Sequence, residues 1–291
     1  MNPAARFGDF HFCPAPTHAG GPVLSPPTGM VLTNGLPQAR GADPALCAGP
    51  VDFIVMGAAT VKIHGQPAAR MTDKTMHGGL ISFGSGNVMI GGPTAGVTLG
   101  DPDAAAKDCA ALAATRHTPG SPHQSYGNCG IEAWRAIINR QRAADGLPPL
   151  TEDDALARAI GLGAAAHDPD KPWSYGSTTV DDRVKLLGDQ GVDASAEPWS
   201  TEGIQQAVAE NRGVSTTVHP YWYWPESAGA TLEGFHEVQI TGVEYDENGK
   251  LKAYIVADSA LGNCSMRVPA SDLGYAMPPD APLTVTKRPV R

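Results

Sequence analysis

The chain has 291 residues, of which 34 are Gly and 26 are Pro, about a fifth of its length against a usual share near ~12%. A formal net charge of −9, a pI near 5.4 and the lack of any basic stretch argue against nucleic acid as a direct ligand. No apolar run approaches the roughly 18 residues of a membrane span, and the start MNPAARFGDFHFCP lacks the basic-then-apolar pattern of a secretory signal, so the chain is expected to be made soluble and not to leave by the general export route.

The composition is uneven. Residues 1–100 hold 17 Gly and 11 Pro but only nine charged residues, net +1, and no Trp. Residues 101–291 hold all five Trp and a net charge of −10. Two halves of different chemistry predict two domains, which suits the length. The five cysteines, Cys13, Cys47, Cys109, Cys129 and Cys264, are odd in number and irregular in spacing. That places metal and thiolate chemistry ahead of a disulfide framework.

The first hundred residues repeat themselves. Pro3-Ala4-Ala5-Arg6 leads to Asp9, Leu36-Pro37-Gln38-Ala39-Arg40 to Asp43, and Gln66-Pro67-Ala68-Ala69-Arg70 to Asp73. The last two copies follow Asn34-Gly35 and His64-Gly65, and alternating segments precede them, which predicts short strands joined by tight hairpins. Such strands carry few large side chains and need a staple or a partner. His11 and Cys13, then His18, follow Asp9; Cys47 stands four residues after Asp43 and His77 four after Asp73. Ligand types that recur with the repeat are expected to converge on tetrahedral zinc.

The PAAR tetrapeptides at 3–6 and 67–70, with GDFHFC, THAGGP and KTMHGGLISFGSGNVMIGG, resemble the PAAR-repeat domain, a small β cone that sharpens the tip of contractile secretion spikes. The resemblance covers about residues 1–95. It implies structural zinc held by three His and one Cys, and a broad base seated on a trimeric VgrG-type spike protein. By position the ligands would be His11, His18, Cys47 and His77. Cys13 is the rival, because it stands at the same offset from Asp9 as Cys47 and His77 do from their aspartates.

Between the halves, an Ala-rich stretch could form a short helix, and Pro119-Gly120-Ser121-Pro122 ends it. The expected layout is a spike-tip domain over 1–98, a linker over 99–122 and a second domain over 123–291. Cys109 reads as a buried or bystander thiol and Cys264 as structural.

In the second half, Ile131, Trp134, Ile137 and Ile138 make one helix face, so Cys129 stands at a helix N-terminus, where free amides and the dipole favour an anion and hence a thiolate. Gln124, five residues upstream, could turn its amide to an oxyanion formed on Cys129. A thiolate nucleophile needs a base and the base an orienting acceptor. Residues 235–243 alternate as a strand that puts His236 on the face of Val238 and Ile240. The chain then turns at Asp246-Glu247-Asn248-Gly249, and paired positions across a short hairpin loop sum to about 495–497. Asp258 then falls one to three residues from the position opposite His236. His236 alone reads more often as a core residue and Asp258 equally as a turn former; together with Cys129 and Gln124 they form a catalytic pattern.

These residues resemble the papain-like cysteine peptidases, most of all the bacteriocin-leader (double-glycine) peptidases, whose motif runs Gln, Cys, His, Asp. Over roughly 120–265 the resemblance implies an α+β fold with Cys129 as nucleophile, His236 as base and acid, Asp258 orienting the imidazole, and Gln124 with the Cys129 N–H in the oxyanion hole. No cofactor is implied for catalysis. The aromatic run Tyr221–Pro225 matches no family motif and reads as core or as a substrate groove.

A spike tip fused to such a domain implies a specialised effector of the bacterial type VI secretion system. It would wait in the producer's cytoplasm and be fired into a competitor, most simply into the competitor's cytoplasm, where it would cleave a protein and arrest growth. A cognate immunity protein would cover the Cys129 cleft in the producer. Alternatives on the same Cys-His-Asp site are a peptidoglycan amidase or endopeptidase and a protein deamidase or transglutaminase; a non-enzymatic structural tip is a further class.

Overall fold

The computed structural model describes residues 1–26, 31–121, 124–168, 170, 175–219, 235–278 and 280–290. The aromatic run at 221–225 lies outside the described residues. Two compact units are resolved, Met1–Leu99 with Val243–Lys252, and Gly100–Gly242 with Ala253–Arg291. Among the described residues no helix is long and apolar enough to cross a membrane.

The first unit is built from short antiparallel pairings, such as Asn2–Pro3 with Met89–Ile90 and His11–Phe12 with Leu80–Ile81. Asn34 and Gly35 have φ of 52° and 79°, and His64 and Gly65 have 50° and 81°. Two successive positive values are what a tight primed hairpin turn requires. The three repeats are equivalent in detail. In each, the arginine backbone N–H donates to the aspartate three residues on, Arg6 to Asp9 at 2.7 Å, Arg40 to Asp43 at 3.0 Å and Arg70 to Asp73 at 2.8 Å, and the guanidinium pairs with the same carboxylate. The alanines before them close a ring of backbone bonds: Ala5 N–H to Ala69 carbonyl, Ala69 to Ala39, and Ala39 to Ala5. Three segments of one chain thus meet around a pseudo-threefold axis. Their core is Ala5, Ala39, Ala45 and Ala69 with Val23, Ile54 and Ile81, too little apolar area to stand without a further tie.

The second unit is α+β. Its helices are α1 (Pro102–Ala114), α2 (Cys129–Ala144), α3 (Glu152–Gly161), α4 (Val180–Asp189), α5 (Thr201–Ala209) and α6 (Ala270–Ala276). Its sheet orders the strands Ala194–Glu197, Leu283–Pro289, Arg212–Val218, His236–Tyr245, Leu251–Asp258 and Asn263–Pro269. The apolar face of α2, Ile131, Trp134, Ile137 and Ile138, is buried with Ala155, Leu156, Leu186 and Leu187 of α3 and α4. Trp134 Nε1 also donates to Ser215 Oγ in the sheet at 2.9 Å, so the helix that begins at Cys129 is pinned to the strands behind it.

Cys109 and Cys264 form a disulfide. This corrects the expectation of separate thiols. The bond joins α1 to the strand after Asp258 across 155 residues, a separation at which spacing carries no pairing signal.

Candidate functional site

Four ligand atoms converge in the first unit. Those of Cys13, His18, Cys47 and His77 all lie within 4.8 Å of one another. Cys13 Sγ is 3.7 Å from His18 Nδ1 and 3.9 Å from His77 Nδ1, and Cys47 Sγ is 3.5 Å from His18 Nδ1. Tetrahedral zinc with Zn–S ≈ 2.3 Å and Zn–N ≈ 2.0–2.1 Å sets donors about 3.3–3.8 Å apart. Two sulfurs and two imidazoles at this spacing fit zinc. Burial, and next to it the neighbouring Cys13, push the Cys47 thiol up to about 11; a bound cation would reverse that by taking the thiolates as ligands. His11 is placed elsewhere. Its Nδ1 is 2.9 Å from the Gly21 carbonyl and its Nε2 is 3.3 Å from the buried Asp52. The donors at the offset shared with the aspartates, Cys13, Cys47 and His77, are the ones that meet, joined by His18.

In the second unit Cys129 is the first residue of α2 and is partly exposed. The strand His236–Tyr245 starts beside it, and the Glu237 N–H points at Cys129 Sγ at 3.4 Å. His236 is buried, with Nε2 3.0 Å from Asp258 Oδ1. Burial alone would lower the imidazolium pKa; the hydrogen bonds to Asp258 and to Cys129 outweigh it and push it up to about 10. With Nε2 held by the carboxylate, Nδ1 is the nitrogen that serves the thiol.

The hairpin explains the meeting of residues 22 apart. Asp246 N–H donates to the Lys250 carbonyl and Thr241 Oγ1 to the Ile255 carbonyl, which sets paired positions at a sum of 496. Asp258 then stands at the level of Val238, on the face that carries His236. Its Oδ1 also accepts the N–H groups of Ala260 and Leu261 at 2.8 and 3.2 Å, so it forms the turn and faces the imidazole at once.

Gln124 is fixed next to this turn. Its N–H donates to the Ser259 carbonyl at 3.0 Å, its Oε1 accepts Ser259 Oγ at 2.6 Å, and its Nε2 donates to the Tyr126 carbonyl at 2.9 Å. An amide nitrogen has two hydrogens, and the Tyr126 carbonyl takes one of them. Among the described residues, the N–H groups of Cys129 and Gly130 have no backbone acceptor. Gly130 is needed for closeness: a Cβ there would lie 2.1 Å from Thr178 Oγ1. Glu237, which sequence alternation turns away from His236, is buried and accepts Ser215 Oγ at 2.5 Å and Thr217 Oγ1 at 2.8 Å, with Arg183 3.4 Å away. Its side chain thus anchors the strand whose N–H reaches Cys129.

The chain therefore combines a β-rich N-terminal unit carrying a Cys/His cluster suited to a metal with an α+β unit carrying a Cys-His-Asp constellation at a helix N-terminus. Residues 15–82 match the family described as PAAR motif; Cys13 stands just before the matched stretch. Xylellain, a cysteine protease from Xylella fastidiosa, is a solved structure similar over 56% of this chain and 80% of its own, at 16% identity and a TM-score of 0.31. No curated protein matches the chain.

Proposed function

We propose that this protein is a type VI secretion effector in which the N-terminal unit caps a trimeric VgrG-type spike and the C-terminal unit is a cysteine peptidase acting on a protein in the cytoplasm of a competing bacterium. The PAAR match and the pseudo-threefold ring of Ala5, Ala39 and Ala69 support the spike role, because a threefold surface suits a trimer. The enzymatic half is carried by one observation, the alignment of Cys129, His236 and Asp258 at the start of α2.

In this reaction the Cys129 thiolate adds to the scissile carbonyl carbon, and the N–H of Cys129 and the free hydrogen of Gln124 Nε2 receive the oxyanion. The C–N bond breaks as His236 passes its proton to the departing amine. Water then gives a proton to His236 and its hydroxide to the thioester, and the thiolate is released with the acid product. Cys13, His18, Cys47 and His77 would hold zinc as a structural tie in the tip. A cognate immunity protein would cover the Cys129 cleft before firing.

Expression of the full chain in susceptible cells tests this. Wild type should arrest growth and generate new protein N-termini, and Cys129→Ala and His236→Ala should do neither. Toxicity that survives both substitutions would rule out the enzyme. The Cys109–Cys264 bond favours a second reading, since disulfides persist in oxidising compartments: an amidase or endopeptidase acting on peptidoglycan in the periplasm. Arrest only when the chain is directed to the periplasm would select that reading over the first.

A further inference from the structure

Beneath the candidate nucleophile lies a charged cluster that the proposed chemistry does not use. Arg116, Glu132, Arg135 and Glu152 are each at most 4% exposed. Arg135 grips Glu132 with two bonds, Nε to Oε1 at 2.6 Å and Nη2 to Oε2 at 2.9 Å, and also donates to the Leu112 carbonyl and to Thr115 Oγ1. Arg116 Nε lies 3.7 Å from Glu132. This pairing ties α2 to the end of α1.

Glu152, the first residue of α3, is bound differently. Its carboxylate is fully buried and receives four hydrogen bonds from one loop. Oε1 accepts the Ser125 N–H at 2.8 Å and Asn128 Nδ2 at 3.2 Å; Oε2 accepts Ser125 Oγ at 2.8 Å and the His117 N–H at 3.1 Å. Its own N–H returns to the Thr115 carbonyl at 2.9 Å. A buried carboxylate with this many donors is a rigid anchor, because moving away from them together would leave its charge unsolvated. The loop it holds contains Gln124 and ends at Cys129.

Asn128 shows what the anchor does to the helix start. Thr151, Thr179 and Ser200, the residues before α3, α4 and α5, each accept a backbone N–H of their own helix. Asn128 makes no such cap. Its amide donates to Glu152 instead, which leaves the first N–H groups of α2 for a ligand.

We infer that Glu152 is a positioning residue for the nucleophile: by holding His117, Ser125 and Asn128 it fixes Cys129 against His236 and keeps the α2 amides and Gln124 open to the reacting carbonyl. This rests on the peptidase assignment above. Glutamine at 152 has nearly the same shape but replaces one acceptor oxygen with a donor, which then opposes the His117 N–H. One of the four bonds turns repulsive, and a shift near ~1 Å is enough to cost about 100-fold in rate.

The test uses the full chain and iodoacetamide, with the Cys129 peptide followed by mass spectrometry at about pH 6 and at about pH 9.5, the second above the ~8.5 of a free thiol. Wild-type Cys129 should react almost as fast at the lower pH, and His236→Ala should lose that reaction. Glu152→Gln should slow the low-pH reaction by about 10–100-fold and leave the high-pH rate unchanged, a split that simple loosening of the fold does not produce. Ser125→Ala, which removes one donor without stranding a charge, should give a smaller loss in the same direction and decides the matter if the glutamine variant does not fold. Wild-type low-pH reactivity in the folded variants would overturn the role of Glu152 while leaving the enzyme assignment intact. Indifference of the wild-type rate to His236→Ala would overturn the assignment and the role with it.

Discussion

His236 divides its two nitrogens between a carboxylate and a thiol, and the pH behaviour of the second unit follows from that. Its folded pKa of about 10 stands above the ordinary ~6.5. The fold therefore binds this proton more tightly than the unfolded chain does. The stability so gained is fully present below about pH 6.5, declines above it, and is lost as the pH rises through about 10. Thermal unfolding followed from neutral to alkaline pH should show a decline that His236→Ala lacks; parallel curves for the two proteins would contradict the coupling. The partners of His236 could be read from the chain, because alternation and a short hairpin fix which residues share a face. The Cys/His cluster suited to a metal was readable only in part. Cys13 had the correct phase after its aspartate, and His11, two residues earlier, turns to Asp52 in a pairing that no repeat predicts, since Asp52 belongs to none of the three copies.

The elements differ in how openly they declare themselves. The apolar spacing after Cys129 marks α2, and the structure buries all four of those side chains. Glu152 gives no such sign: in Thr151-Glu152-Asp153-Asp154 it looks like one of three acids in a helix's first turn, where acids are common, and only the folded chain buries one of them against the segment that precedes Cys129. The disulfide was likewise hidden, because neither α1 nor the strand Asn263–Pro269 carries a feature that names the other. Closing a loop of this length is worth roughly 2–5 kcal/mol. Removing it by Cys109→Ser should lower the urea stability of the second unit by about that amount, and adding reductant to wild type should give the same loss. A reductant effect that persists in Cys109→Ser would assign the stabilisation elsewhere.

Over the whole molecule, the uneven composition provides an optical label. All five Trp lie in residues 101–291 and none in residues 1–100. Zinc bound at Cys13, His18, Cys47 and His77 should be found at about one per chain by mass spectrometry and, as in small zinc-dependent folds, its removal should unfold what it ties. Chelation is expected to expose the first hundred residues to protease while tryptophan emission stays that of the native second unit. A simultaneous change in emission would show that the metal supports both units.

The disulfide also has a topological meaning. Gln124, Cys129, Glu152, His236 and Asp258 all lie between Cys109 and Cys264, so the candidate site and its support sit on a closed covalent ring. Such a ring cannot be drawn through a narrow pore as a single thread: it must pass doubled or be opened first. A chain carried folded on a rigid spike meets neither demand, whereas a route that unravels its cargo would stall on this protein until the bond was reduced. A single backbone cut inside the ring would leave all five residues joined in one molecule.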